Sequence, residues 1–135
     1  MGFQAGQLFV NLPVKHLQES IDFFTALGFE FNPDYTDENA TCMIINENTF
    51  AMLLTREFFS TFTSKSIVDT SDHTEVIIAF SASSREQVDE LVKKALDAGG
   101  KPYNDPVDMG FMYNWSFQDI DGHLWEVMYM NEGGQ

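Results

Sequence analysis

The sequence predicts an α+β fold of two βαβββ modules, whose sheets pair into a partly closed, curved mixed surface with helices outside. Three observations carry this expectation. Strand-like and helix-like hydrophobic periods occur in the same order twice, over about 60 residues each time. Each helical period stops at glycine, Gly28 in the first and Gly99-Gly100 in the second. The stretch from Trp115 to Met130, WSFQDIDGHLWEVMYM, then closes the second copy with two apolar strands around an acidic turn.

The first copy opens with a strand at Gln7–Leu12, which Pro13 is expected to stop. Leu17, Ile21, Phe24 and Leu27 recur at helical spacing and predict a helix over 17–27, with His16 at its start. Extended pieces follow at 29–35, 40–46 and 49–55. They are separated by Asp37-Glu38-Asn39 and Asn46-Glu47-Asn48, both rich in turn formers. The last two should form a hairpin. Residues 57–73 are a polar linker with a short helix at 57–61, so the modules span about 7–56 and 74–131 of one domain. Phe23-Phe24 and Phe58-Phe59 read as core or dimer contacts.

In the second copy a strand is expected at 75–82 and a helix at 85–98, capped by Ser83 or Ser84. Its apolar stripe is Val88, Leu91, Val92 and Ala95. Extended pieces at 101–103, 111–118 and 124–130 complete the order. Leu124, Trp125, Val127, Met128 and Tyr129 make the last strand apolar on both faces, so it should be covered on both sides. Glu126 stands in its middle. A lone carboxylate there is costly unless it is paired, protonated or turned toward a wet cavity, which makes it the best single pointer to a site.

Composition narrows the function classes. Hydrophobic residues make up 44% of the chain and thirteen residues are Phe, as in a well-buried globular protein. Seven basic residues face 21 acidic ones, a net charge of −14 that disfavours nucleic acid and anionic membrane as partners. The single cysteine, Cys42, excludes an intramolecular disulfide and a cysteine-based zinc site; in its apolar run it reads as an inert core thiol. With no signal-peptide pattern and no apolar run of membrane length, the expected location is cytoplasmic. No glycine-rich phosphate loop, nucleotide fingerprint or Ser-His-Asp pattern is present.

Two segments carry a family resemblance. LFVNLPVKHLQESIDFFTALGFEF and FQDIDGHLWEVMY are similar to the first strand and helix and to the closing turn and strand of the vicinal oxygen chelate superfamily. This is the glyoxalase, bleomycin-resistance and extradiol dioxygenase group. Within them, Ser20 to Phe29 resembles its "SxxFYxxLGF" pattern and Asp119 to Glu126 its "DPDGxxxEL" pattern, with Ile120 in place of the usual Pro. The resemblance covers almost the whole chain and implies a glyoxalase fold and a homodimer. For metal-using members it also implies four inward ligand positions, here Phe9, Leu53 (or its neighbour Met52), Ile77 and Glu126. Only Glu126 can ligate a hard cation. A register slip of two residues would bring in Glu75 or Asn11.

The resulting expectation is a small organic ligand held in an apolar cavity with no metal or other cofactor, by sequestration or by metal-free acid–base chemistry. The alternative is a divalent-metal lyase, isomerase or dioxygenase with shifted ligands, Glu126 and Glu75 among them. Glu126 is the catalytic candidate, as a general base. Phe9, Asn11, Leu53, Glu75, Ile77, Tyr113, Trp115 and Met128 are the ligand-binding candidates. Tyr113 and Trp115 share a face, where they would either stack on a flat ligand or pack a helix. His123 is expected to be a solvated turn residue, and His73 an exposed linker residue.

Overall fold

The computed structural model describes residues 2–131. The fold is α+β, as the repeat predicts, and the chain divides into two compact units, one up to Ile67 and one from Val68. Each unit holds one mixed sheet.

In the first unit, β1 (Leu8–Val14) leads into α1 (Leu17–Leu27), followed by β2 (Glu30–Asn32), β3 (Ala40–Asn46), β4 (Thr49–Thr55) and the short α2 (Arg56–Phe59). The strand order is β1-β4-β3-β2, with β1 parallel to β4 and the remaining pairs antiparallel. Helix α1 forms where the apolar period predicts it, and Gly28 ends it in the left-handed region at φ 106°. Alternation puts Leu12, Met43, Ala51 and Leu53 on one face of the sheet, where they are fully buried together with Phe23, Phe24 and Leu27 of α1. Phe9, Asn11, Phe50 and Met52 lie on the other face.

Two expectations need correction here. Pro13 does not stop β1, which pairs with β4 as far as Val14. As the outer strand of its sheet, β1 tolerates a residue without an N–H. The piece expected at 29–35 shortens to β2, because Pro33-Asp34-Tyr35 form a 3-10 turn. The Asn32 side chain accepts the Asp34 N–H at 2.9 Å and so caps that turn.

The second unit repeats the plan. β5 (Ile77–Ser81) leads into α3 (Arg85–Asp97), then β6 (Lys101–Pro102), β7 (Val107–Asp108), β8 (Met112–Gln118) and β9 (Leu124–Met130). β5 runs parallel to β9, β9 pairs antiparallel with β8, and β6 and β7 both pair with β8. Ser84 caps α3 by accepting the Gln87 N–H at 3.0 Å, while Gln87 Oε1 accepts from the Ser83 N–H at 2.7 Å. Val88, Val92 and Ala95 of α3 are fully buried, as are Phe117, Trp125 and Val127 of the sheet. Among the described residues no helix is long and apolar enough to cross a membrane.

Candidate functional site

In the second unit, register settles which side chains share a face. Ile78, Phe80, Trp125, Val127, Phe117, Trp115 and Tyr113 lie on the α3 side. Tyr113 donates to Asp89 of α3 at 2.5 Å, and the Arg85 guanidinium sits 5.2 Å from its ring centre. Trp115 Nε1 donates to the Asn104 carbonyl at 2.9 Å. Tyr113 and Trp115 therefore serve helix and loop packing, on the face opposite Glu126.

Burial, and after it the Asp89 hydrogen bond, push the Tyr113 phenol up to about 12. A raised folded pKa adds stability that is complete below the unfolded value near 10 and is lost as pH rises through 12. Spectrophotometric titration of the wild type minus Tyr113→Phe should show one tyrosinate appearing only at the alkaline end. A difference signal centred near pH 10 would contradict the packing.

The Glu126 face carries Ile77, Ala79, Ser81, Asn114, Ser116 and Met128, with Ser116 directly across the ladder from Glu126. Glu126 is half-buried, and its side chain makes no hydrogen bond or ion pair with another described residue. Ser116 is 6% exposed, and its Oγ has no hydrogen-bond partner among the described residues. Ile77 is 56% exposed and Met128 half-buried. On one side of the last strand Trp125 and Val127 are fully buried and Tyr129 is half-buried, while on the other Glu126 and Met128 are half-buried.

Glu75 precedes β5, outside the alternating pattern. Its Oε1 lies 3.6 Å from Nδ1 of His123, which is 3% exposed. His123 is therefore not the solvated turn residue that Asp-Gly-His predicts, because residues 69–75 of the same unit lie against the turn. His73 is exposed, as expected. Asp119 organises the turn itself. Its Oδ1 accepts from the backbone N–H groups of Asp121 and His123 at 2.9 and 3.0 Å, and its Oδ2 from Trp125 Nε1 at 2.9 Å. Burial raises the pKa of this carboxyl against the opposing pull of His123 and of those donors. Thr70 donates its hydroxyl to the Asp121 carbonyl.

In the first unit, Phe9 stacks on Phe50 with ring centres 5.1 Å apart. Asn11 lines a cleft of about 240 Å³ with Phe59, Phe62 and Thr63. Leu53 is on the opposite, α1-facing side and is fully buried, so the residue sharing the Phe9 face is its neighbour Met52. Cys42 is buried, which pushes its thiol up and leaves it inert. The structure therefore groups Phe9 with Asn11 in one unit and Ile77, Glu126 and Met128 in the other, while Leu53, Tyr113 and Trp115 lie on the helix-covered faces. Among the described residues no three His, Cys, Asp or Glu side chains are grouped closely enough to hold a metal ion.

Sequence patterning says little about four of these residues: Asp119, Ser116, Phe59 and Phe62. Asp119 was legible only as a turn former. Ser116 carried no signal, since its meaning comes from its cross-strand partner. The cleft residues Phe59 and Phe62 gave only the signal of an aromatic cluster in the linker.

Comparison with known proteins bears on the whole chain. A family model described as Glyoxalase/Bleomycin resistance protein/Dioxygenase superfamily matches residues 6–127. No curated protein matches the chain. Among solved structures, a hypothetical protein from S. aureus is 29% identical with a TM-score of 0.79, the match covering 95% of each chain. A glyoxalase/bleomycin resistance protein/dioxygenase family enzyme from Burkholderia phytofirmans is 16% identical with a TM-score of 0.75, covering 90% of this chain and 96% of that one. The fosfomycin resistance protein FosX from Listeria monocytogenes is 21% identical with a TM-score of 0.70, covering 97% and 98%. FosX has also been solved in complex with Mn(II) and sulfate.

Proposed function

This chain belongs to the Glyoxalase/Bleomycin resistance protein/Dioxygenase superfamily, and we propose that it binds a small organic molecule through apolar contacts and a few polar handles, without a catalytic metal. The observation that carries the reading is the donor chemistry of the sheet faces. A hard divalent ion used as a Lewis acid needs three or more nitrogen or oxygen ligands and an open position. The positions that the family resemblance marks hold Phe9, Leu53 beside Met52, Ile77 and Glu126, so one carboxylate is offered where several donors are required. These residues do not fit a metal centre.

The cleft of the first unit supports the apolar half of the reading. Phe59 and Phe62 supply ring surface, and Asn11 supplies an amide that both donates and accepts. Phe62 is 68% exposed and meets Phe58 edge-on with ring centres 5.1 Å apart, so ring surface stays open to a ligand. Binding and sequestration ask no more of the chain than this. A transforming version would use Glu126 as a general base. A homodimer in the cytoplasm belongs to the same reading, and a monomer in light scattering would remove the dimer from it.

A thermal-stabilisation screen of aromatic small molecules on chelator-treated protein tests the proposal. Ligands should stabilise the metal-free chain, and Phe62→Ala or Asn11→Ala should weaken them about tenfold, the loss of one good apolar or hydrogen-bonding contact. Ligands that bind only after a divalent ion is added, or about one tightly held ion per chain by elemental analysis, would overturn it.

A further inference from the structure

The polar pair on the second sheet has no use within its own unit. Glu126 and Ser116 are directly opposed in the β8–β9 ladder, where facing Cβ atoms lie about 5 Å apart. The Ser116 hydroxyl is buried and has no hydrogen-bond partner, and the Glu126 carboxylate makes no side-chain bond among the described residues. Buried hydroxyls are ordinarily satisfied, so an orphan of this kind points to a partner beyond the described residues. Around the pair, the face offers Ile77, Ala79, Asn114 and Met128, and its one cation by register is Lys101, which stands opposite Gln118 two strands from Glu126 and makes no ion pair with it. A half-buried carboxylate with no ion-pair partner among the described residues and a net charge of −14 behind it favours a positively charged donor over a neutral one or an anion.

We propose that Ser116 and Glu126 form a two-point subsite for the protonated amine of a small organic ligand, whose N–H groups bond the carboxylate and the serine oxygen while its apolar part lies on Ile77 and Met128. An ammonium has three donors and no acceptor, which matches two oxygens side by side. Glu126 is then a ligand-contacting anion, with no metal between it and the bound molecule. This inference rests on the small-molecule reading above and names the ligand class.

The probes are 2-phenylethylamine and its neutral counterpart 2-phenylethanol, titrated calorimetrically at about 0.15 M salt so that general attraction to the acidic surface is screened. Wild-type protein should bind the amine about tenfold or more tightly than the alcohol, as one charge-assisted hydrogen bond implies. Glu126→Gln, nearly isosteric, should abolish that preference. Ser116→Ala should weaken the amine about three- to tenfold. Should Glu126→Gln fail to fold, Ser116→Ala carries the test alone.

Equal affinity of the two probes for wild type, or an amine preference that survives both substitutions, would overturn the subsite. Binding of both probes that is lost in Phe62→Ala but insensitive to Glu126→Gln and Ser116→Ala would overturn the subsite while the broader ligand-binding reading stands. Failure of both probes to bind would overturn the subsite, and the separate aromatic screen then decides the broader reading.

Discussion

Asp119→Ala is expected to destabilise the second unit by about 3–5 kcal/mol, a large part of the stability of a domain of this size. Asp119 is 4% exposed, and its two oxygens accept three N–H donors: the backbone of Asp121 and of His123, and the Trp125 indole. Alanine leaves these donors without their acceptor in a site that excludes water, and each orphaned donor costs about 1–3 kcal/mol. Asp119→Asn gives the contrasting measurement. It keeps one oxygen for the two backbone groups but turns an NH2 toward the indole N–H, so about 1–3 kcal/mol should be lost. Chemical denaturation of both variants checks the prediction, and a loss below about 1 kcal/mol for alanine would show that water replaces the carboxylate.

The same bonds tie Asp119 to function. They fix where β9 begins, and a strand that starts one residue late presents every side chain to the other face. Glu126 would then point to the α3 side and Trp125 away from it. A buried aspartate seven residues before Glu126 thus decides whether the chain has a carboxylate on the sheet face away from α3 at all.

Local chemistry made part of this legible from sequence. Helices α1 and α3 and strands β3, β4 and β9 fall where period, caps and turn formers place them, because each forms largely from information within its own span. The misreadings occurred where a neighbouring element decides. Pro13 continues a strand because β1 is the outer strand of its sheet. Residues 33–35 turn because Asn32 caps them. β7 has only two residues and no period to read. Faces were harder than elements: a one-residue uncertainty in register put Leu53 on the Phe9 face, whereas the structure places Met52 there. Tyr113 and Trp115 had two readings of alternation open to them, and the α3 side chains Asp89 and Arg85 decide for Tyr113. Ser116 and His123 acquire their significance from residues about ten and 48 positions away, which no local pattern encodes.

Gly122→Ala should be nearly as damaging as the loss of Asp119, at about 2–4 kcal/mol. Gly122 has φ 89°, a region in which any other residue is strained by about 1–2 kcal/mol. Strain is only half of the cost. A Cβ built there would lie 2.6 Å from the Thr70 carbonyl oxygen and 3.1 Å from its carbon, both backbone atoms that no rotamer change can move. Gly28 separates the two contributions. Its φ of 106° is equally glycine-specific, yet a Cβ there meets nothing within 4 Å, so Gly28→Ala carries the strain alone and should cost about 1 kcal/mol. In thermal melts the Gly122 variant should fall by about 8–15 °C and the Gly28 variant by about 3–6 °C. Equal shifts would mean that the 69–75 segment gives way to the added methyl group, and with it the account of why Gly122 and the Asp119 turn are held as they are.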